Sequence, residues 1–470
     1  MSFAPVLRFL ALALFAVAVA AIVPALLALG LGEAMEPFVA SAFVSGFAGA
    51  CFLVLSKGLP RLNAIRSGFR ELVLALSLFW LAVPFAAAIP LIEQTFSLWS
   101  AWFEAVSALT TTGAWLSEPA ARSTVSGMIY RASLEWLGGM ASLATAAAVF
   151  VRPEFVGVVP PSPPFARGKH DSYLRAFSSA FRAFAPVYAS LTAVSFFAFM
   201  IAGVPWAEAA TLALSLIASG GFAPTPGGLA AYNNAALGVA MATLVVSAIN
   251  FVVIARLALQ GSDRLKSGPD PETRAFILLI IPVALLFWLS VGSYDWSDFP
   301  PQIVNAISLL STNGSFIGET PQLVPLLVTA VIGGAAVSTA GGIKLLRWLI
   351  TFQRAGQELW QLTHPGGVLK QGRPAIYEFG VWIHTIAFTI VLAVLVLTVA
   401  FFGYDLELAA ATAVAVVTNA GPLIAAAPGS TSDFIQFTEP LRVILAFGMI
   451  AGRLELVLLL LLFDREFWET

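Results

Sequence analysis

The sequence predicts an all-α polytopic membrane protein, with four helix–pore helix–helix repeats arranged pseudo-fourfold around a central pore and two further transmembrane helices at the N-terminus. Three observations predict it. Of 470 residues, 59% are hydrophobic and only 11% are charged, against about a quarter charged in soluble globular proteins. Apolar runs long enough to cross hydrocarbon, about 20 residues each, recur along the whole chain. Shorter apolar pieces lie between some of them, and each closes on a similar glycine string. This composition excludes a string of soluble domains, disorder, coiled coil and collagen. The formal net charge of −2 argues against nucleic-acid binding. One cysteine, Cys51, leaves no disulfide framework and no CxxC metal site.

The first run, 5–30, is longer than a signal-peptide core and has only Arg8 as its basic region, so it reads as a transmembrane helix. Runs at 38–55, 70–92, 124–151, 176–203, 231–259, 273–292, 321–360, 376–403 and 434–463 complete ten membrane-crossing segments. The pieces 99–110, 206–218, 301–310 and 406–417 are too short to span and read as re-entrant or core helices. The chain then divides into an N-terminal helix pair, 1–66, and four units, 67–152, 173–262, 270–362 and 373–470.

Bases gather in alternate loops: Lys57, Arg61, Arg66 and Arg70; Arg152, Arg167, Lys169, Arg175 and Arg182; Arg256, Arg264, Lys266 and Arg274; Lys344, Arg347, Arg354, Lys370 and Arg373. The positive-inside rule makes that face cytoplasmic and puts both termini there. All four short pieces then fall on the outer side. Many acids do too: Glu33, Glu36, Glu93, Glu104, Glu118, Glu208, Asp295, Asp298, Glu319, Asp405, Glu407, Asp433 and Glu439. Such a face either concentrates cations over a pore or only reflects the removal of bases from outer loops.

The glycine strings align in register. They are Thr110, Thr111, Thr112 and Gly113; Ala218, Ser219, Gly220 and Gly221; Ser311, Thr312, Asn313 and Gly314; and Thr418, Asn419, Ala420 and Gly421. An alanine stands eight residues before each final glycine: Ala105, Ala213, Ala306 and Ala413. A serine stands six before in three of them, with Ala415 the exception. One such string is common in helix packing; four in register are not. Irregular backbone at membrane depth survives only inside protein or around a watery cavity. Four strings around one axis meet that condition together, with carbonyls that can replace the hydration shell of a cation.

These strings, with Trp136-Leu-Gly-Gly-Met140, Ser338-Thr-Ala-Gly-Gly-Ile-Lys344 and Gly452-Arg-Leu-Glu455, resemble the Trk/Ktr/HKT superfamily of potassium transporters, most closely its TrkH branch. The resemblance covers nearly the whole chain and implies a filter at the four strings, with K+ as the transported ion and no cofactor. Glycine at all four positions goes with potassium preference in that superfamily, with some sodium leakage. For the pair Gly220-Gly221, the Gly-Phe ending favours Gly221. The resemblance also implies a homodimer in the lipid bilayer of the bacterial inner membrane, docked to cytoplasmic nucleotide-binding regulatory subunits of TrkA type.

Segment 321–360 is nearly twice one span. Its middle holds Gly333, Gly334, Ser338, Thr339, Gly341 and Gly342, which weaken a continuous helix, so a break is expected there. In the resembling family this piece is an intramembrane gate below the filter. Lys344, at its end, is either a gate-associated cation or a positive-inside anchor. Arg453 stands midway along the last run, where an arginine is costly and a functional candidate. The resemblance implies that it reaches the pore below the filter and opposes cation passage. Arg131 and Glu135, four apart within one span, are expected to pair locally. Glu135 departs from the family, where an uncharged polar residue more often precedes Trp-Leu-Gly-Gly.

His170, His364 and His384 are far apart, and no HExxH, GxSxG or GxxxxGK[ST] string occurs, so no enzyme is expected. The Pro-rich basic stretch 160–172 reads as a cytoplasmic linker. The alternative is a carrier-type secondary transporter of another solute, which also uses broken helices at midplane but does not require four glycine strings on one side. A lipid-modifying membrane enzyme would need clustered acids or histidines on one face.

Overall fold

The structure is a computed structural model of the chain and describes residues 3–59, 68–116, 124–150, 173–260, 270–292, 294–364, 376–431, 433–454 and 456–469. The sequence expectations at Arg61, Arg66, Glu118, Arg152, Arg264, Lys266, Lys370, Arg373 and Glu455, and the linker 160–172 with its neighbours Arg167 and Lys169, lie outside the described residues.

The described residues form helices and connecting turns, without strands. Two long apolar helices, α1 (Phe3–Leu31) and α2 (Glu36–Gly58), pack on each other and on the first unit. That unit is α3 (Phe69–Ala87), the short α4 (Leu98–Leu109) and α5 (Val125–Phe150). The second is α6 (Tyr173–Ile201), the short α7 (Trp206–Ile217), and α8 (Asn234–Ala248) followed by α9 (Phe251–Gln260). The third is α10 (Pro271–Val291), the short α11 (Phe299–Leu310), then α12 (Leu323–Ile332) and α13 (Leu345–Thr363). The fourth is α14 (Ile376–Phe401), the short α15 (Leu406–Val417), α16 (Glu439–Arg453) and α17 (Leu456–Leu462); a last turn, α18 (Arg465–Glu469), closes the described chain.

The packing runs in a ring. Each short helix lies against the long helix before it, as α3 does with α4 and α14 with α15. Each also lies against the second long helix of the preceding unit: α5 packs on α7, α8 on α11, and α12 on α15. The last contact, α16 on α4, closes the circle. Close approach depends on glycine. A Cβ at Gly138 of α5 would sit 1.7 Å from Leu109 O, and one at Gly452 of α16 would sit 2.0 Å from Val417 O. Leu109 and Val417 hold the same register, four residues before Gly113 and Gly421. Small residues thus let the second long helices touch the backbone ends of the short ones.

Among the described residues, α1, α2, α3, α6, α10 and α14 are each long and apolar enough to cross a membrane unbroken. Side chains such as Leu12, Phe43, Val54, Ile201, Leu278 and Phe401 stand exposed on the outside, a surface that suits lipid and not water. The other long segments differ from smooth spans. Helix α5 buries Arg131 and Glu135 completely. The run expected at 231–259 as one span is instead α8 and α9, bent by 100° at Ile249-Asn250. The run 321–360 is broken between α12 and α13, and the last run breaks after Arg453.

Candidate functional site

The four short helices end in one geometry. After α4, Thr112 N–H donates to Ser107 O (2.8 Å) and Thr111 N–H to Ala108 O (2.9 Å). After α7, Gly220 donates to Ser215 O (2.8 Å) and Ser219 to Leu216 O (3.0 Å). After α11, Asn313 donates to Ser308 O (2.9 Å) and Thr312 to Leu309 O (3.0 Å). After α15, Ala420 donates to Ala415 O (2.8 Å) and Asn419 to Val416 O (3.3 Å). This is the Schellman closure, which puts one residue in the left-handed region. That residue is Thr111, Ser219, Thr312 or Asn419, with φ of 58°, 54°, 59° and 57°. Glycine or asparagine is usual there, and a β-branched residue is an outlier that costs roughly 1–2 kcal/mol. The strained threonines Thr111 and Thr312, within a closure repeated at four matched positions, are held by their surroundings and point to function. The closure also fixes the register at the glycine pair: Gly220 matches Thr112, so Gly221 matches Gly113.

The strings that follow meet one another. A Cβ at Gly113 would fall 2.3 Å from Gly221 Cα, and one at Gly421 would fall 2.5 Å from Thr112 O. A Cβ at Gly314 would lie 2.9 Å from Ala420 O. Polar contacts join the strings laterally. Gly421 N–H donates to Thr112 O (2.7 Å), Asn313 Nδ2 to Gly220 O, and Asn419 Nδ2 to Thr112 Oγ1 (3.0 Å). Two of the backbone oxygens expected to face an ion, Thr112 O and Gly220 O, therefore accept bonds from neighbouring strings. The remaining residues of these strings, Thr110, Ala218, Ser311, Thr418 and Ala420, are buried at the helix ends. A cavity of about 240 Å³ is lined by Gly113, Trp115, Gly221, Ser315, Gly421 and Asp433, so three strings and the residue that follows the third border it. A smaller cavity of about 30 Å³ is lined by Ser142, Gly341, Lys344, His384, Gly452 and Arg453.

The segment between α12 and α13 touches both neighbours of the site. Gly333 and Gly342 turn at φ of 73° and 75°, and the neck closes through Ile343 N to Val331 O and Leu345 N to Gly334 O. Its body docks on the break between α8 and α9. Ala335 N donates to Ala248 O, Thr339 N to Ser247 O, and Phe251 N to Val337 O at 2.7–3.1 Å. Thr339 Oγ1 reaches Ile217 O, Gly341 N donates to Thr312 Oγ1 (2.6 Å), and a Cβ at Gly341 would lie 2.0 Å from Thr418 O. The loop thus abuts the second, third and fourth strings or their helices. Ser338 Oγ turns back on Ala335 O, and Lys344 Nζ donates to Ser338 O and Ala340 O, which binds this lysine to the loop itself. Arg453 ends α16 beside the small cavity, and its Nε donates to Ser142 Oγ at 2.7 Å.

Sequence reasoning missed two parts of this assembly. One is Glu272, buried at the start of α10: Oε2 accepts Ala336 N–H (2.5 Å) and Oε1 accepts Asn250 Nδ2 (3.4 Å). The other is the partner of Arg131. The local pair with Glu135 does not form as expected. Arg131 Nε instead donates to Glu104 of α4 (2.5 Å), both side chains fully buried, and its Nη2 donates to Gln94. Its guanidinium also lies over the Trp115 ring, 5.4 Å from the centroid. A buried acid on α4 needs a charge partner, and that requirement outweighs a spacing rule for exposed helix faces. Glu135 accepts Phe222 N–H at 3.4 Å. Three of the acids expected on the outer face have structural roles too. Glu33 accepts Val125 and Ser126 N–H, Glu208 accepts Tyr232 Oη–H, and Asp295 caps Ser297.

A ring of four helix–short helix–helix units, with glycine strings meeting between two cavities, defines a multi-pass membrane transport protein. Known proteins share this build and sequence. The TrkH family, described as cation transport protein, matches residues 41–298. The Trk system potassium uptake protein TrkH of Vibrio parahaemolyticus is 30% identical over the full length of both chains. The protein of the same name from Escherichia coli is 29% identical over 85% of this chain and 86% of its own. The crystal structure of the potassium transporter TrkH from Vibrio parahaemolyticus superimposes with a TM-score of 0.85 at 28% identity, covering both chains completely. The chain belongs to the TrkH family.

Proposed function

We propose that this chain takes up potassium across the bacterial inner membrane, through a path made by the four strings. The observation that carries the reading is the fourfold repetition of the Schellman closure with its left-handed Thr111, Ser219, Thr312 and Asn419. It brings four backbone segments with glycine at the matched position to one place. Neutral carbonyls select an ion by replacing its water, and the C-terminal ends of the short helices add partial negative charge there. An ion arriving at Thr112 O and Gly220 O displaces the hydrogen bonds those oxygens accept from Gly421 and Asn313.

The loop 333–344 and Arg453 form the barrier below the strings. Arg453 brings positive charge to the inner cavity, and the loop occupies the space beside Thr312 and Thr418. The functional unit is a homodimer with both termini in the cytoplasm, regulated by separate nucleotide-binding subunits on that face. The names of the relatives support the choice of potassium. Expression in a bacterium lacking its own potassium uptake tests the reading: growth on limiting potassium is expected, and no rescue by well-expressed protein overturns it.

A further inference from the structure

The second string is met from behind by a carboxylate of the second long helix of the first unit. Glu135, on α5, is fully buried. Its Oε1 accepts the N–H of Phe222, the residue that follows Gly221, and the carboxylate lies so close to Gly220 that a Cβ there would stand 2.2 Å from Oε2. Among the described residues, Oε2 has no hydrogen-bond partner. The same stretch is gripped from its other sides. Asn313 Nδ2 holds Gly220 O, and the Phe222 ring meets Trp115 edge-on with centroids 4.2 Å apart. One turn earlier on α5, Arg131 stands over Trp115. Helix α5 therefore braces the first string through Arg131 and the second through Glu135.

We propose that Glu135 is a positioning residue for cation selection: by accepting the Phe222 N–H it fixes where the Gly220 and Gly221 backbone stands, and so the size of the site those carbonyls offer. The ligand is a dehydrated alkali cation, and the inference rests on the string-lined path proposed above. The role is that of an acceptor. An oxygen is required at that place and a negative charge is not. Without it, the Phe222 N–H is left unpaired inside the protein, and the string shifts to find another partner. A displaced carbonyl changes the preference between a larger and a smaller ion before it stops flux.

The test measures the ratio of rubidium to sodium tracer uptake in liposomes containing the purified full-length chain. Glu135→Gln keeps the acceptor and is expected to hold the ratio within about twofold of wild type. Glu135→Met keeps the shape without an acceptor and is expected to lower the ratio about tenfold while the melting temperature stays near that of Glu135→Gln. A wild-type ratio in Glu135→Met, or an equal fall in Glu135→Gln, overturns the proposal. Should Glu135→Met fail to assemble, Glu135→Asp, one methylene short of Phe222, replaces it: a lowered ratio supports the role and an unchanged one overturns it. Absence of selective flux from wild type removes the pathway reading itself and this inference with it; selective wild-type flux with insensitive variants removes only the inference.

Discussion

Replacing Gly341 by alanine puts a methyl group 2.0 Å from Thr418 O. Carbon–oxygen contacts settle near 3.3–3.6 Å, so the loop has to withdraw by more than about 1 Å. Withdrawal breaks the 2.6 Å bond from Gly341 N–H to Thr312 Oγ1, and an unpaired buried donor costs about 1–3 kcal/mol. The other attachments, Ala335 to Ala248, Ala336 to Glu272 and Thr339 to Ser247, are more distant in sequence from the methyl and stay made. The loop therefore remains anchored on the second unit and leaves the strings. Destabilising the docked position by one or two kcal/mol raises the undocked fraction about 5–30-fold. Radioactive rubidium uptake into liposomes should rise accordingly. An unchanged or lower rate, from protein that is monodisperse and melts as wild type does, refutes the loop as a barrier.

Other substitutions test other parts of the structure. Arg453→Ala removes the charge beside the inner cavity and the bond to Ser142, and rubidium uptake should rise; an unchanged rate excludes Arg453 from the barrier. Arg131→Met strands the buried Glu104 carboxylate and should destabilise the protein by about 3–5 kcal/mol, seen as a lower melting temperature in detergent. The double variant Arg131→Met with Glu104→Met should recover most of that loss. Thr111→Gly relieves a left-handed threonine whose hydroxyl makes no hydrogen bond; it should raise the melting temperature, by roughly 1 kcal/mol of stability, whereas Thr312→Gly should not, because it loses the bond from Gly341.

Much of this arrangement is readable in the sequence, and the unreadable part has a common cause. The strings and the break at 333–344 show because glycine, serine and threonine interrupt apolar runs, a local signal. The break at Ile249-Asn250 does not show, since its flanks are as apolar as any span. What stabilises it is distant: Ala335, Val337 and Thr339 satisfy the freed backbone groups, and Glu272 meets the Asn250 amide. The partner of Arg131 is hidden for the same reason. Glu135 stands at the favoured local spacing, yet Glu104 is brought close only by the packing of α4 on α5. Period and composition report on faces and spans, not on which buried polar group the fold brings to which.

The proposed cation path lies wholly within this one chain. Rubidium uptake into potassium-loaded liposomes containing only the purified protein tests it most directly. Uptake above that of empty liposomes is expected, suppressed by external potassium far more strongly than by sodium or lithium. Uptake no greater than that of empty liposomes, from monodisperse protein, would contradict it, as would equal suppression by all three ions.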